Sequence, residues 1–209
     1  LNQFSIGFPV FVRDYDRMGR TVATEHTMYS STTKLWEYAA KNRKITSKNE
    51  EGESWSENFT PYPIKEDEKL EARPASQTVS YEFWDGYNDF SALWTYDRTT
   101  NSYLRTTGGK PQTDLNTKKQ LSSKNVIVLF MKESRANDGY EGNLHMLYGT
   151  KGTGNAKVFI DGQEIDGTWS KKSRTAHLLI KDARGKDIEF NAGQIWFSVV
   201  APDTTVTAK

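Results

Sequence analysis

Residues 152–200 limit most tightly what this chain can fold into. They read GTGNAKVFIDGQEIDGTW and, a few residues on, AHLLIKDARGKDIEFNAGQIWFSVV. Short β-type runs are broken at Asp161-Gly162, Asp166-Gly167, Gly185 and Gly193. Asp-Gly between apolar runs is a hairpin signal, because Gly takes positive φ without steric cost. Tight turns are therefore expected at both Asp-Gly pairs, with Trp169 on a core face. Lys151-Gly152-Thr153-Gly154 opens a strand-like run, whereas a phosphate cradle must open a helix. Its glycines are read as turn or close-approach positions. The stretch holds no cysteine, no His/carboxylate set at ligand spacing and no nucleophile on a glycine-framed elbow.

The same logic extends upstream. Val79, Tyr81 and Phe83 alternate with polar residues, as in a half-buried strand. FSALWTYD and SYLRTT flank the turn TTNS as a hairpin, and residues 125–131, NVIVLFM, form an apolar run expected to be a central strand buried on both faces. The run 143–149 is a further strand carrying His145, which is expected to be a satisfied core histidine if it points inward. The tail after Pro202 is expected to fray. Near the N-terminus, residues 4–12 suit an edge strand or a strand entering from a preceding loop, since Pro9 has no ladder donor. Residues 33–43 read as the main helix, with Leu35, Trp36, Ala39 and Ala40 at helical spacing and Ser30, Ser31 or Thr32 as cap. Residues 45–74 are acidic, proline-bearing and aperiodic. They are expected to be an ordered loop pinned by Trp55, Phe59, Tyr62 and Ile64. These patterns predict an α+β chain, β-rich and mainly antiparallel, with one main helix. Residues 1–75 form an N-terminal portion and 76–209 a β-rich C-terminal portion.

Composition excludes several functions. Lys and Arg number 28 against 27 Asp and Glu, so no bulk field draws nucleic acid or anionic membrane. The basic run at residues 170–174 is a solvated loop, well short of a nucleic-acid footprint. Mean hydropathy is −0.75, and no apolar run is long enough to span a bilayer. Zero cysteines exclude disulfides and thiolate chemistry. Asp14, Asp16, Gly19 and Glu25 have EF-hand-loop spacing, but Met18 stands where an oxygen ligand is needed and Arg17 and Arg20 bring positive charge. No metal or cofactor is expected. His26 beside Glu25 is read as packing or capping a helix start rather than as a general base. Asn58 begins a glycosylation-type triplet, relevant only in a eukaryotic secretory setting. Aromatics make up 12% of residues, which suits β-domain cores and also an exposed platform for sugars or peptides.

A family resemblance rests on the order of short motifs. These include Tyr103-Leu104-Arg105, Pro111 with Asp114, Leu121, Asn125-Val126-Ile127-Val128 and Gly152-x-Gly154-x-Ala156. Phe159 with Asp161-Gly162, Gly167-Thr168-Trp169, Asp182, Gly185, Gly193-Gln194-Ile195-Trp196 and Val199-Val200 follow. Phe11-x-Arg13-Asp14, His26-x-x-Tyr29 and Leu35-Trp36 extend the likeness toward the N-terminus. Together they resemble the YerB-like family of bacterial lipoproteins, whose function is unknown, over the C-terminal two-thirds of its extent. The resemblance implies a layered β-sandwich behind an N-terminal α/β portion, export, and an anchor upstream of Leu1. It lends no catalytic residues, and Gln112-Thr113 stand where a histidine is often expected. A non-catalytic binding or scaffold module at the outer face of the bacterial membrane is the favoured reading. Arg105, Asp114, Trp84 and Tyr87 are its candidate contact residues, and cell-wall glycan or envelope proteins its partners. For Arg105 and Asp114 an interstrand ion pair is the competing structural role. The alternative is a glycan-active enzyme using paired carboxylates drawn from Asp14, Asp16, Glu25 and Asp114.

Overall fold

The computed structural model describes residues 3–48, 51–57, 59–139, 142 and 145–209. Asn58, which begins the glycosylation-type triplet, lies outside the described residues, as do Asn143 and Leu144 of the run around His145. The chain divides into two units, Leu1–Thr60 and Pro61–Lys209.

In the first unit, α1 (Gln3–Ile6) and not an edge strand opens the chain, and Gly7 breaks it at positive φ. Strands β1 (Val12–Arg13) and β2 (Met28–Tyr29) pair antiparallel. His26 sits in a 3-10 turn, Thr24–Thr27, that feeds β2, so it neither caps nor begins the main helix. That helix, α2, spans Thr32–Arg43. The Ser31 side chain accepts from the Lys34 N–H, and Lys44 closes the helix in the left-handed region.

The second unit is a sandwich. Its strands are β3 (Ile64–Lys65), β4 (Thr78–Tyr81), β5 (Ala92–Asp97), β6 (Ser102–Thr107), β7 (Lys110–Pro111), β8 (Ser122–Ser123), β9 (Asn125–Phe130), β10 (Glu133–Arg135) and β11 (Met146–Tyr148). They continue with β12 (Gly152–Ile160), β13 (Gln163–Lys171), β14 (Leu179–Asp182), β15 (Phe190–Asn191), β16 (Ile195–Val200) and β17 (Val206–Ala208). One sheet has the order β17-β4-β5-β6-β7 with β8 also on β6, and the other β14-β13-β12-β9-β16. Pairing is antiparallel except for β16 on β9 and β15 on β3.

Strand β9 explains the layering. Its period-2 pleat sends Val126 and Val128 toward the first sheet, where they meet Val79, Tyr81, Trp94, Tyr96 and Tyr103. Ile127 and Leu129 point the other way, into a second core with Val158, Trp169, Ile180 and Phe190. An uninterrupted apolar run is what a strand needs when both faces are dry. Each fully buried side chain of this size contributes about 1.5–3 kcal/mol.

The glycines separate into two roles. Asp161-Gly162 is a true turn, both residues at positive φ, joining β12 to β13. Asp166-Gly167 is not a turn: β13 runs through it, and a Cβ on Gly167 would lie 2.2 Å from the Lys181 carbonyl oxygen of β14. Here glycine answers close backbone approach rather than a reversal. The C-terminal tail does not fray. Val206 to Ala208 pair with β4, and Thr78 and Lys209 exchange backbone hydrogen bonds of 2.8 and 3.0 Å. Of the four loop anchors only Tyr62 packs inward, against His177 and Phe190. Trp55, Phe59 and Ile64 are exposed.

Candidate functional site

The face of the first sheet away from its core carries a groove. Pairing places Thr207 beside Ser80, Ser80 beside Leu93, and Leu93 beside Thr106. These four form one row across β17, β4, β5 and β6. Their neighbours Val79, Tyr81, Trp94 and Arg105 belong to the opposite, buried face, as the pleat requires. The row lines a cavity of about 770 Å³ together with Phe83, Trp84, Ala201, Asp203, Thr204 and Thr205.

Trp84 reaches the groove from the connection between β4 and β5. That connection is braced by hydrogen bonds from Tyr87 N–H to the Trp84 carbonyl (3.2 Å) and from Phe90 N–H to that of Tyr87 (3.0 Å). It leans on the β6–β7 turn, where a Cβ on Gly108 would lie 2.7 Å from the Asp89 carbonyl oxygen. Tyr87 and Phe90 meet the Trp84 ring edge-on, at centroid distances of 6.4 and 6.1 Å. The indole stays 37% exposed, an ordered ring with a face left over.

Carboxylates complete the lining. Glu82, Asp85, Glu133 and Asp203 border the cavity, and no Lys or Arg does among the described residues. Glu133 Oε2 accepts from the Tyr148 hydroxyl at 2.5 Å. Burial, then the bond to Glu133, pushes Tyr148 up to about 12, against an opposing hydrogen bond from Trp84. Glu133 is thereby positioned by a phenol that stays protonated at neutral pH. Hydroxyls, carboxylate oxygens and one aromatic face can together accept and donate to a polyhydroxylated ligand while covering its apolar side.

The structure separates the residues that the sequence grouped. Trp84 lines the groove and Tyr87 buttresses it. Arg105 does not reach it, because it faces the core one residue before Thr106. Its guanidinium lies over Trp94 and Trp196, at 5.0 and 4.7 Å, and its Nε donates to Gln112 Oε1 at 2.5 Å. Arg105 therefore ties the two sheets together through ring faces and Gln112, not through the interstrand ion pair suggested for it. Asp114 shapes the loop before β8, where its Oδ1 accepts from the backbone N–H groups of Asn116 (3.1 Å) and Thr117 (2.6 Å). Asp14 makes the same kind of turn with Asp16 and Arg17. His145 is exposed, its Nδ1 2.6 Å from Asp138 Oδ2, and so is not a core histidine. Among the described residues no three His, Cys, Asp or Glu side chains gather as metal ligands. No helix among them is long and apolar enough to cross a membrane. Phe90, Leu93, Thr106, Glu133, Asp203 and Thr207 escaped sequence reasoning. Alternation marks Leu93 and Thr106 as outward-facing, but only strand register aligns them.

A buried polar node lies apart from the groove. Asp161 Oδ1 accepts from Asn101 and Asn191, each at 2.6 Å, and Oδ2 from Lys65 at 2.5 Å. Burial raises the Asp161 pKa, but these donors outweigh it and hold the carboxyl below its ordinary range. The node joins the turns of both sheets to β3 and β15.

No curated protein matches the sequence. The fold is similar to that of the crystal structure of YerB protein from Bacillus subtilis, with a TM-score of 0.71 at 17% identity. The match covers 99% of this chain and 62% of that one, so the chain spans under two thirds of YerB's length. Residues 79–197 match the model of the C-terminal domain of a protein of unknown function, DUF3048. That match takes in most of both sheets, though not β17, and most of the groove, and the chain is accordingly a member of the DUF3048 C-terminal domain family.

Proposed function

We propose that this chain is the ligand-binding part of an exported, membrane-anchored protein of the bacterial cell envelope, and that it holds cell-wall glycan in the groove without performing chemistry on it. The carrying observation is the row Thr207–Ser80–Leu93–Thr106 in the same cavity as the exposed Trp84 ring. A sugar ring presents C–H faces that stack on an indole and hydroxyls that bond to Ser, Thr and carboxylate oxygens. Four carboxylates without a countering cation disfavour phosphate-rich polymers and nucleic acid. Export and the upstream anchor rest on the family resemblance.

The glycan-active alternative gains little from its own candidates, since Asp14 and Asp114 spend carboxylate oxygens on turn N–H groups. Co-sedimentation with purified peptidoglycan sacculi tests the proposal. The intact chain is expected to bind, Trp84→Ala to bind about tenfold more weakly for loss of one aromatic contact, and released muropeptides to stay at background. Equal retention of both proteins by sacculi would remove the groove from consideration.

A further inference from the structure

The first unit carries a second aromatic cavity. Helix α2 ends at Arg43, and the chain returns over its last turns through Ile45, Thr46 and Ser47, then Ser54, Trp55 and Ser56. A bridge between Lys48 and Ser54 and a hydrogen bond from Trp55 N–H to the Ser47 carbonyl (3.2 Å) close this return. Between the helix and the return lies a cavity of about 530 Å³, lined by Trp36, Ala40, Ile45, Thr46, Ser47, Ser54, Trp55 and Ser56. That size is within the range of about 300–1,000 Å³ typical of small-ligand sites.

Trp36 and Trp55 are each 61% exposed, an unusual state for two large rings on the same cavity. Trp55 is also held in place, because its indole N–H donates to the Thr46 carbonyl at 3.0 Å. With its polar atom satisfied, the ring offers only faces. Besides the Trp36 indole N–H, the other lining polar side chains are hydroxyls: Thr46, Ser47, and the Ser54–Ser56 pair, whose Oγ atoms are 2.9 Å apart. No charged side chain lines the cavity among the described residues.

We infer that this cavity is a second binding site, for an uncharged saccharide whose ring stacks on Trp55 and Trp36 and whose hydroxyls bond to the serine and threonine rim. A charged ligand would find no counterion in this lining among the described residues, and a wholly apolar segment would cover the hydroxyl rim without offering it a donor or acceptor. A neutral sugar satisfies both. Trp55 needs no reordering on binding, so little conformational entropy is lost.

The test uses the full chain carrying Trp84→Ala, which silences the groove's aromatic wall and makes this site's success or failure distinguishable from the groove's. An N-acetylglucosamine hexamer is titrated by calorimetry and by tryptophan emission. Binding with a blue shift is expected in the Trp84→Ala chain. Adding Trp55→Ala or Trp36→Ala is expected to weaken it about tenfold. Trp55→Phe should retain much of it, and Ser47→Ala, which keeps the backbone bond to Trp55, should weaken it without altering the circular dichroism spectrum. No binding in the Trp84→Ala chain, or binding indifferent to both rings, overturns the inference. Binding of a proline-rich peptide, or self-association, that blocks the cavity while the hexamer does not bind also overturns it.

Discussion

Asp161 shows how much of this fold hangs on single side chains. Its carboxylate is 6% exposed and receives Lys65, Asn101 and Asn191, so the charged form is favoured by donors rather than by water. Asp161→Asn is expected to cost about 1.5–3 kcal/mol at neutral pH, the range for hydrogen bonds to charged groups. A carboxyl whose folded pKa is depressed stabilises the fold above its unfolded pKa, and that stabilisation is lost as pH falls through the folded value. The gap in melting temperature between the wild type and Asp161→Asn should therefore narrow below about pH 4. A gap that stays constant into acid would show that the charge contributes nothing. At the other extreme, burial pushes Tyr96 and Tyr148 up to about 12 and Tyr103 higher still. Their folded pKa values lie above the unfolded one, so their stabilisation is whole below about pH 10 and lost as pH rises toward 12. Phenolate absorbance should accordingly show Tyr96, Tyr103 and Tyr148 ionising late, together with unfolding.

At the level of elements, the decisive piece is the short C-terminal strand β17. It occupies an edge of the first sheet that would otherwise expose β4, and it supplies Thr207 to the groove. Truncation after Pro202 is expected to lower the melting temperature, promote association through the bared edge, and weaken sacculus binding even where Trp84 is intact. Light scattering and co-sedimentation check these together. A truncated chain that stays monomeric and binds normally would show the edge to be dispensable. The β4–β5 connection is the other functional element. Its hydrogen bonds and edge-on aromatic contacts explain how a loop side chain can be both exposed and fixed.

On the scale of the whole molecule, the division after Thr60 matters most. Residues 61–209 contain both sheets, both cores, the Asp161 node and the groove. Expressed alone, they are expected to unfold in one cooperative transition and to keep the Trp84-dependent part of sacculus binding, by differential scanning calorimetry and co-sedimentation. A molten fragment would show that the first 60 residues complete its core. The sequence by itself determined what local chemistry controls. Alternation, the Asp161-Gly162 turn, the apolar run of β9 and the spacing of α2 each follow from backbone sterics or side-chain period, and they made the α+β, mainly antiparallel class legible. Tertiary structure alone decided whatever depends on register and approach between distant segments. Thus Asp166-Gly167 became a close-approach point rather than a turn, the tail became a strand, and Arg105 and Thr106 were sent to opposite faces. It also brought Thr207 into line with Ser80, Leu93 and Thr106 in a cavity shared with Trp84. Pleat fixes which residues share a face, but only pairing between strands far apart in the chain fixes which of them meet.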